Sequence, residues 1–329
     1  MPLSIGEGGS LKWQRLARIN EHPRDSRIQF NEEEHSYAID GEKIGWSSCT
    51  QFLHNFFGHF DPDEVIAKMM KNPVKWRQSQ YYGMTPEEIK AKWAASGEEA
   101  SSAGTRMHLD IEHFYNSSHF EELWIKKAKT LDIIPADFAK SVACMENDDN
   151  WTPKLSPEWT MFQNYQEKIG SKMIPYRTEW LVFNERIKIA GSIDMLYMKK
   201  DGTYAIYDWK RSKEIKMENR YQAGLGPVMH LPDTNYWHYS LQLNVYRMIL
   251  KEKYNMDVNE LALVILHPNN PTFQVIKVNI MEDEIQGMFE SRLRALQKPG
   301  NNGTDPIVIF DEEKDEELVP ASTAWLGSD

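Results

Sequence analysis

The chain has 329 residues, 41% hydrophobic and 26% charged, a globular composition that excludes collagenous, wholly disordered and disulfide-stapled classes. The net charge of −11 gathers towards one end, where eight acids face one lysine between Pro299 and Asp329; an acidic tail therefore does not exclude a nucleic-acid partner reached through a local basic groove. Two cysteines, Cys49 and Cys144, cannot make a four-thiolate zinc site or a cysteine-ligated iron–sulfur cluster, and no apolar run approaches a membrane span.

Residues up to about Ser26 are polar and unpatterned. From Arg27 to Trp46 the pattern turns to strand, with Ser36–Ile39 and Lys43–Ile44 flanking Asp40–Gly41, a two-residue hairpin signal. From Ser47 to about Gly170 helices are expected, broken by Pro73, Pro86, Pro135, Pro153 and Pro157. Within this half a helix opens at Gly104 and runs to about Asn116, with Met107, Ile111, Phe114 and Tyr115 as its apolar stripe. His108 lies beside the stripe, and Glu112 one turn on shares its side.

Three β-rich runs follow, Glu179–Phe183, Ile187–Met198 and Thr203–Lys210. A helix from about Asn235 to Tyr254, two strands around His267–Pro271 and a closing helix from Glu282 to Gln297 complete the order βββαββα. The class is α/β (α+β): a mixed central sheet flanked by helices, preceded by a mostly helical N-terminal half. The expected division is 1–175, 176–298 and an acidic tail, 299–329, with 1–298 as one compact unit.

The chemistry centres on Asp194 on one strand and Asp208–Trp209–Lys210 on the next, where alternation sends Asp208 and Lys210 to one face. A two-residue loop at Asp201–Gly202 would pair Met195 with Asp208. A three-residue loop, Lys200–Gly202 with Gly202 left-handed, sets Asp194 opposite Asp208 instead. The second register, or an equivalent bulge beside Asp194, is the one expected. Facing carboxylates repel unless a cation lies between them, and hard oxygen donors suit Mg²⁺ or Mn²⁺. With Lys210 nearby to position a water and stabilise charge on a phosphate, the reaction expected is metal-assisted phosphodiester hydrolysis. Asp-x-Lys or Glu-x-Lys recurs at Glu88/Lys90, Glu214/Lys216 and Glu312/Lys314, so the weight rests on the surrounding motifs.

Gly104-Thr-x-x-His108, Gly191-x-x-Asp194, Asp208-x-Lys210 and Gln242-x-x-x-Tyr246, in this order, resemble the RecB-like branch of the PD-(D/E)XK nuclease superfamily, which includes mitochondrial genome-maintenance exonuclease-like and some large-DNA-virus proteins. Gly45-Trp-Ser-Ser-Cys-Thr50 is similar to the Ser-Val-Thr segment that precedes the histidine motif there, with Ser-Cys replacing Val. The resemblance implies a restriction-endonuclease-like core in which His108, Asp194, Asp208 and the Trp209 carbonyl hold one or two Mg²⁺ or Mn²⁺ ions. It implies Lys210 as the catalytic lysine beside Asp208 and Asp194, Glu179 as a further site acid, and Gln242, Tyr246, Thr105 and Ser192 as substrate contacts. The iron–sulfur clamp of several relatives is excluded by the cysteine count, and without a Gly-rich phosphate loop no nucleotide cofactor or ATP-driven motor is expected.

The implied activity is a DNA exonuclease acting on single strands or duplex ends in replication, repair or recombination. An endonuclease or flap nuclease with the same site, a non-cutting nucleic-acid-binding relative and a metal-dependent phosphatase are the alternatives. Lys75–Trp76–Arg77 with Tyr81–Tyr82, or Trp151, Trp159 and Tyr165, offer cations and aromatics for a single strand, against a reading as ordinary helix packing. The tail, with an aromatic and apolar segment at Ala324–Trp325–Leu326, suits a protein partner, against a reading as a frayed terminus. A soluble intracellular location with no membrane contact is expected.

Overall fold

Alternation along two adjacent strands shows how the molecule is layered. In the computed structural model, residues 14–58, 60–117 and 152–297 are described; Trp151, Pro135, Cys144 and the acidic tail lie outside them. On β6 (Tyr204–Lys210), Ala205, Tyr207 and Trp209 enter one core and Ile206 the other. On β7 (Val258–Ile265), Ala262 and Val264 join the first set, and Leu261, Leu263 and Ile265 the second. Both faces are therefore covered, as a sheet with a parallel pair requires. Helices α5 (Pro86–Asn116) and α6 (Pro157–Lys168) cover one face, and α2 (Cys49–His54), α7 (Asn235–Lys253) and α8 (Glu282–Leu296) the other.

The remaining strands of the six-stranded mixed sheet are β3 (Ser47–Ser48), β4 (Ile174–Asn184), β5 (Ile189–Met198) and β8 (Gln274–Val278), in the order β3–β5–β6–β7–β8 with β4 paired to β5. The order βββαββα expected from Tyr176 onward is the one observed. Met195 pairs with Tyr207 and Met198 with Tyr204, the register of the three-residue loop, and Gly202 takes φ +82°. Only glycine adopts that conformation without a Cβ penalty.

Ahead of the sheet the architecture departs from expectation in three places. Asp40 and Gly41 do form a left-handed turn, at φ +52° and +83°, but beyond it lies a single Ile39–Glu42 bridge. The hairpin partner of β2 (Ser36–Ile39) is instead β1 (Ile28–Asn31), whose Ile28 packs with Tyr37, Ile39, Phe183 and Ala190. A short helix, α1 (Arg15–Ile19), occupies part of the stretch expected to be unpatterned, because Asn116 accepts the Leu16 N–H at 2.8 Å and Leu16 is buried. The helix carrying His108 begins eighteen residues earlier than expected, at Pro86, behind a Thr85–Glu88 capping box. It runs through Gly97 and Gly104, whose propensity cost of about 1 kcal/mol each is offset by packing at both ends.

Pro73, Pro86 and Pro157 each occupy the first turn of α4 (Pro73–Gln78), α5 and α6, behind caps at Asn72, Thr85 and Ser156. The N-terminal half of α5, with α3 (Pro62–Lys71) and α4, encloses a small core of Ile66, Tyr81, Ile89 and Trp93. Its C-terminal half buries Met107, Ile111, Phe114 and Tyr115 against the sheet and α6.

Candidate metal centre

One edge of β5 pairs with β4 from Ile189 to Met198. On the other edge, Ile189 and Ala190 pair in parallel with β3, and Met195–Met198 pair antiparallel with β6. Gly191–Asp194 lies between these two partners with a strand on one side only, so the Gly-x-x-Asp motif coincides with a break in the sheet. Side chains fill that break. The Trp209 N–H donates to Asp194 Oδ2 at 2.8 Å, and Trp209 O lies 3.0 Å from His108 Nε2. Asp194 and His108 thus stand where a neighbouring strand's peptide groups would otherwise be. Lys210 O remains in the ladder, accepting from the Leu266 N–H on the β7 side at 2.8 Å.

Glu179, on β4 opposite Asp194, has φ +42°, a left-handed conformation that costs a non-glycine residue about 1–2 kcal/mol. The kink changes which side each neighbour faces: Thr178 bonds Asn116 of α5, whereas Trp180 packs into the α7-side core. Glu179 Oε1 then lies 3.2 Å from His108 Nδ1, and Oε2 accepts from Ser192 Oγ at 3.1 Å. Asp194 Oδ2 is 3.7 Å from the same imidazole nitrogen. His108, Glu179 and Asp194 each offer a ligand atom within 4.8 Å of the others'.

Burial works to lower the His108 imidazolium, but the carboxylates of Asp194 and Glu179 outweigh it and push its pKa up to about 10. Burial, and then the charge of Asp208, hold the Asp194 carboxyl well above its ordinary range. Glu112, accepting from Gln14 Nε2 at 2.9 Å, is pushed up to about 8 by burial and by Glu179. One imidazole and two carboxylates, crowded and partly desolvated, form a donor set that fits a hard divalent cation.

Asp208 and Lys210 stand next to this triad on the face towards α7. Lys210 Nζ is 3.3 Å from Asp208 Oδ2, and both side chains are nearly buried. Asp208 influences Asp194 through charge, but the cluster of convergent ligand atoms comprises His108, Glu179 and Asp194. On α7, Tyr246 lies against Gly191: a Cβ there would come within 2.6 Å of the tyrosine ring, so glycine permits the approach. Gln242 Nε2 reaches the Tyr246 hydroxyl at 3.5 Å. Thr105 is exposed one turn before His108. At β3, Arg292 of α8 donates to Ser47 Oγ at 3.0 Å and to Gly45 O at 3.2 Å. Ser48 caps α2 in a box with Gln51.

Trp159 and Tyr165 are buried in the core beneath α6 and cannot stack a base; they are helix packing. Tyr81 is buried in the small helical core, whereas Tyr82 is 56% exposed beside Trp76. Among the described residues no helix is long and apolar enough to cross a membrane. Two features escaped the sequence reading: the bond from Ser192 to Glu179, and Tyr239, three residues before Gln242, whose ring faces Lys210. Helical spacing from Gln242 and Tyr246 was the available signal for Tyr239.

A three-layer fold with acids and a lysine gathered at a split between strands defines a candidate phosphodiester hydrolase site. Residues 65–317 match the model of the PD-(D/E)XK nuclease superfamily, and the chain belongs to that superfamily. Among solved structures, it is similar to an exonuclease candidate from Eubacterium rectale at 14% identity, covering 55% of this chain and 62% of that one, with a TM-score of 0.29. It is also similar to SSO0001 at 11% identity, covering 64% and 88%, with a TM-score of 0.22. A search of curated proteins finds no match.

Proposed function

We propose that this superfamily member is a Mg²⁺- or Mn²⁺-dependent DNA exonuclease of the RecB-like branch, acting on single strands or duplex ends in replication, repair or recombination. The observation that carries the reading is the meeting of His108, Glu179 and Asp194 at the break in the β5 edge, beside Asp208 and Lys210. His108, Asp194, Asp208 and the Trp209 carbonyl would hold the ion, with Glu179 as a further acid. A bound divalent cation supplies Lewis-acid polarisation of the scissile phosphate and a more acidic water.

Lys210 presents its ammonium to the incoming phosphate, offsetting charge that develops on the equatorial oxygens, and orients the attacking water. Ser192 supports this by fixing Glu179, and Asp194 by fixing the backbone from which Asp208 and Lys210 project. Gln242, Tyr246 and Thr105 are assigned to the substrate. The preference for ends rests on the motif resemblance and on the helical lobe of α3, α4 and the N-terminal half of α5. Residues 1–175 and 176–298 are read as one working unit, with 299–329 as a tail for a protein partner.

The test is digestion of end-labelled linear and circular DNA, single-stranded and duplex, with Mg²⁺, Mn²⁺ or EDTA, using wild type beside Asp208→Ala and Lys210→Ala. Loss of linear DNA alone, abolished by EDTA and by both substitutions, is the expected result. Cleavage of circles would replace the exonuclease by an endonuclease. DNA binding without cleavage under either metal would leave a non-cutting relative.

A further inference from the structure

The Lys210 side chain ends on four rotatable bonds, so its ammonium needs more than one contact to be fixed in place. One contact is Asp208 Oδ2 at 3.3 Å. A second comes from α7, where Lys210 Nζ lies 4.7 Å from the centroid of the Tyr239 ring. That distance is inside the range at which a ring quadrupole attracts a cation, and the attraction strengthens when water is excluded. Water is largely excluded here: Lys210 is 8% and Tyr239 4% exposed. Tyr239, Gln242 and Tyr246 recur at spacings of three and four along α7, so one helix face supplies the ring at Lys210, the amide, and the ring against Gly191.

We propose that Tyr239 is a positioning residue for Lys210, its ring face and the Asp208 carboxylate together fixing where the ammonium ends. The role rests on the reading of Lys210 as the lysine that assists hydrolysis. An aromatic face is required and the hydroxyl is not. Tyr239→Phe therefore keeps kcat on DNA within about twofold, whereas Tyr239→Leu lowers it about 2- to 30-fold with little change in KM.

The test pairs those kinetics with a signature that needs no turnover. In the full-length protein with lysine labelled at the ε-methylene, the Lys210 resonance, identified by its loss in Lys210→Met, is shifted upfield by the ring current. Tyr239→Phe keeps that shift and Tyr239→Leu removes it. Should Tyr239→Leu fail to fold, pentafluorophenylalanine at 239 preserves the shape of Phe while reversing its quadrupole, and kcat must then fall below that of Tyr239→Phe. An unshifted Lys210 resonance in wild type, equal losses in Phe and Leu variants, or equal kcat for Phe and its fluorinated form would each overturn the proposal. Absence of cleavage by wild type would defeat the nuclease reading, while the resonance would still decide the contact.

Discussion

The two edges of β5 are partnered differently. Along β4 the pairing runs from Ile189 to Met198, with a register shift between Pro175 and Arg177 and a left-handed Glu179 as its irregularities. Along the other edge two partners, β3 and β6, meet β5 at its ends and leave Gly191–Asp194 between them. The paired edge spends its peptide groups on the sheet. At the broken edge the β6 peptide groups of Trp209 meet side chains instead, Asp194 and His108 taking the places of a missing strand. Charged side chains at the centre of a sheet can thus take over the backbone hydrogen bonds that a missing strand leaves open, as they do at Trp209.

The largest expected effect separates the edges by function. Lys210→Ala should lower DNA cleavage by about 10²- to 10³-fold, the scale of a lost donor that stabilises developing charge. Leu196→Met, buried where β5 pairs with both β4 and β6, should leave the cleavage rate unchanged and cost less than about 1.5 kcal/mol of stability. Comparable losses of cleavage for the two variants would erase the distinction. Next in size is Gly191→Val, whose Cβ would meet the Tyr246 ring at 2.6 Å. Overpacking of this kind costs about 1–3 kcal/mol, read as a lower denaturant midpoint. Adding Tyr246→Leu should restore much of the loss, since the ring is what the side chain strikes.

Much of this arrangement was legible because short-range rules governed it. The loop length at Lys200–Gly202 determined the β5–β6 register, which runs from Met198–Tyr204 to Met195–Tyr207 and brings Asp194 to the start of the break. The stripe of Met107, Ile111, Phe114 and Tyr115 put one side of α5 on the sheet, and the motif order put His108 in the same region. What escaped was tertiary. A two-residue parallel strand such as β3 has no periodicity to read, so the break at Gly191–Asp194 could not be derived from alternation. The left-handed Glu179 has no glycine or asparagine to announce it. Helix α5 passes through Gly97 and Gly104 because packing at both ends outweighs a local penalty, and α1 is held by Asn116, one hundred residues away. Tyr239 became visible only when Lys210 was seen to reach the helix opposite.

Glu179 itself offers a sharper test of the edge paired with β4. Its backbone stores strain that glycine would relieve, while its carboxylate serves the opposite edge through His108 and Ser192. Both Glu179→Gly and Glu179→Ala remove the carboxylate, so the difference between them isolates the backbone. Glu179→Gly should be the more stable by about 1 kcal/mol in urea unfolding. Equal stabilities, or a more stable alanine variant, would mean that the kink carries no strain.

The smallest effect concerns the chain as it leaves the broken edge. Immediately after Lys210, Arg211 Nε donates to Glu158 Oε1 at 2.9 Å, tying the exit of β6 to the first turn of α6. Burial tends to raise the Glu158 carboxyl, but its own backbone N–H and Arg211 outweigh burial and bring its pKa below the ordinary value. A group depressed in the folded state contributes stability that is present above its unfolded pKa and lost as pH falls through the folded one. Wild type should therefore melt higher than Glu158→Gln at pH 7, with the gap closing as the solution is acidified below the usual carboxylate range. A gap that persists unchanged into acid would assign the loss to packing of the side chain, and the anchoring of the exit would owe nothing to charge.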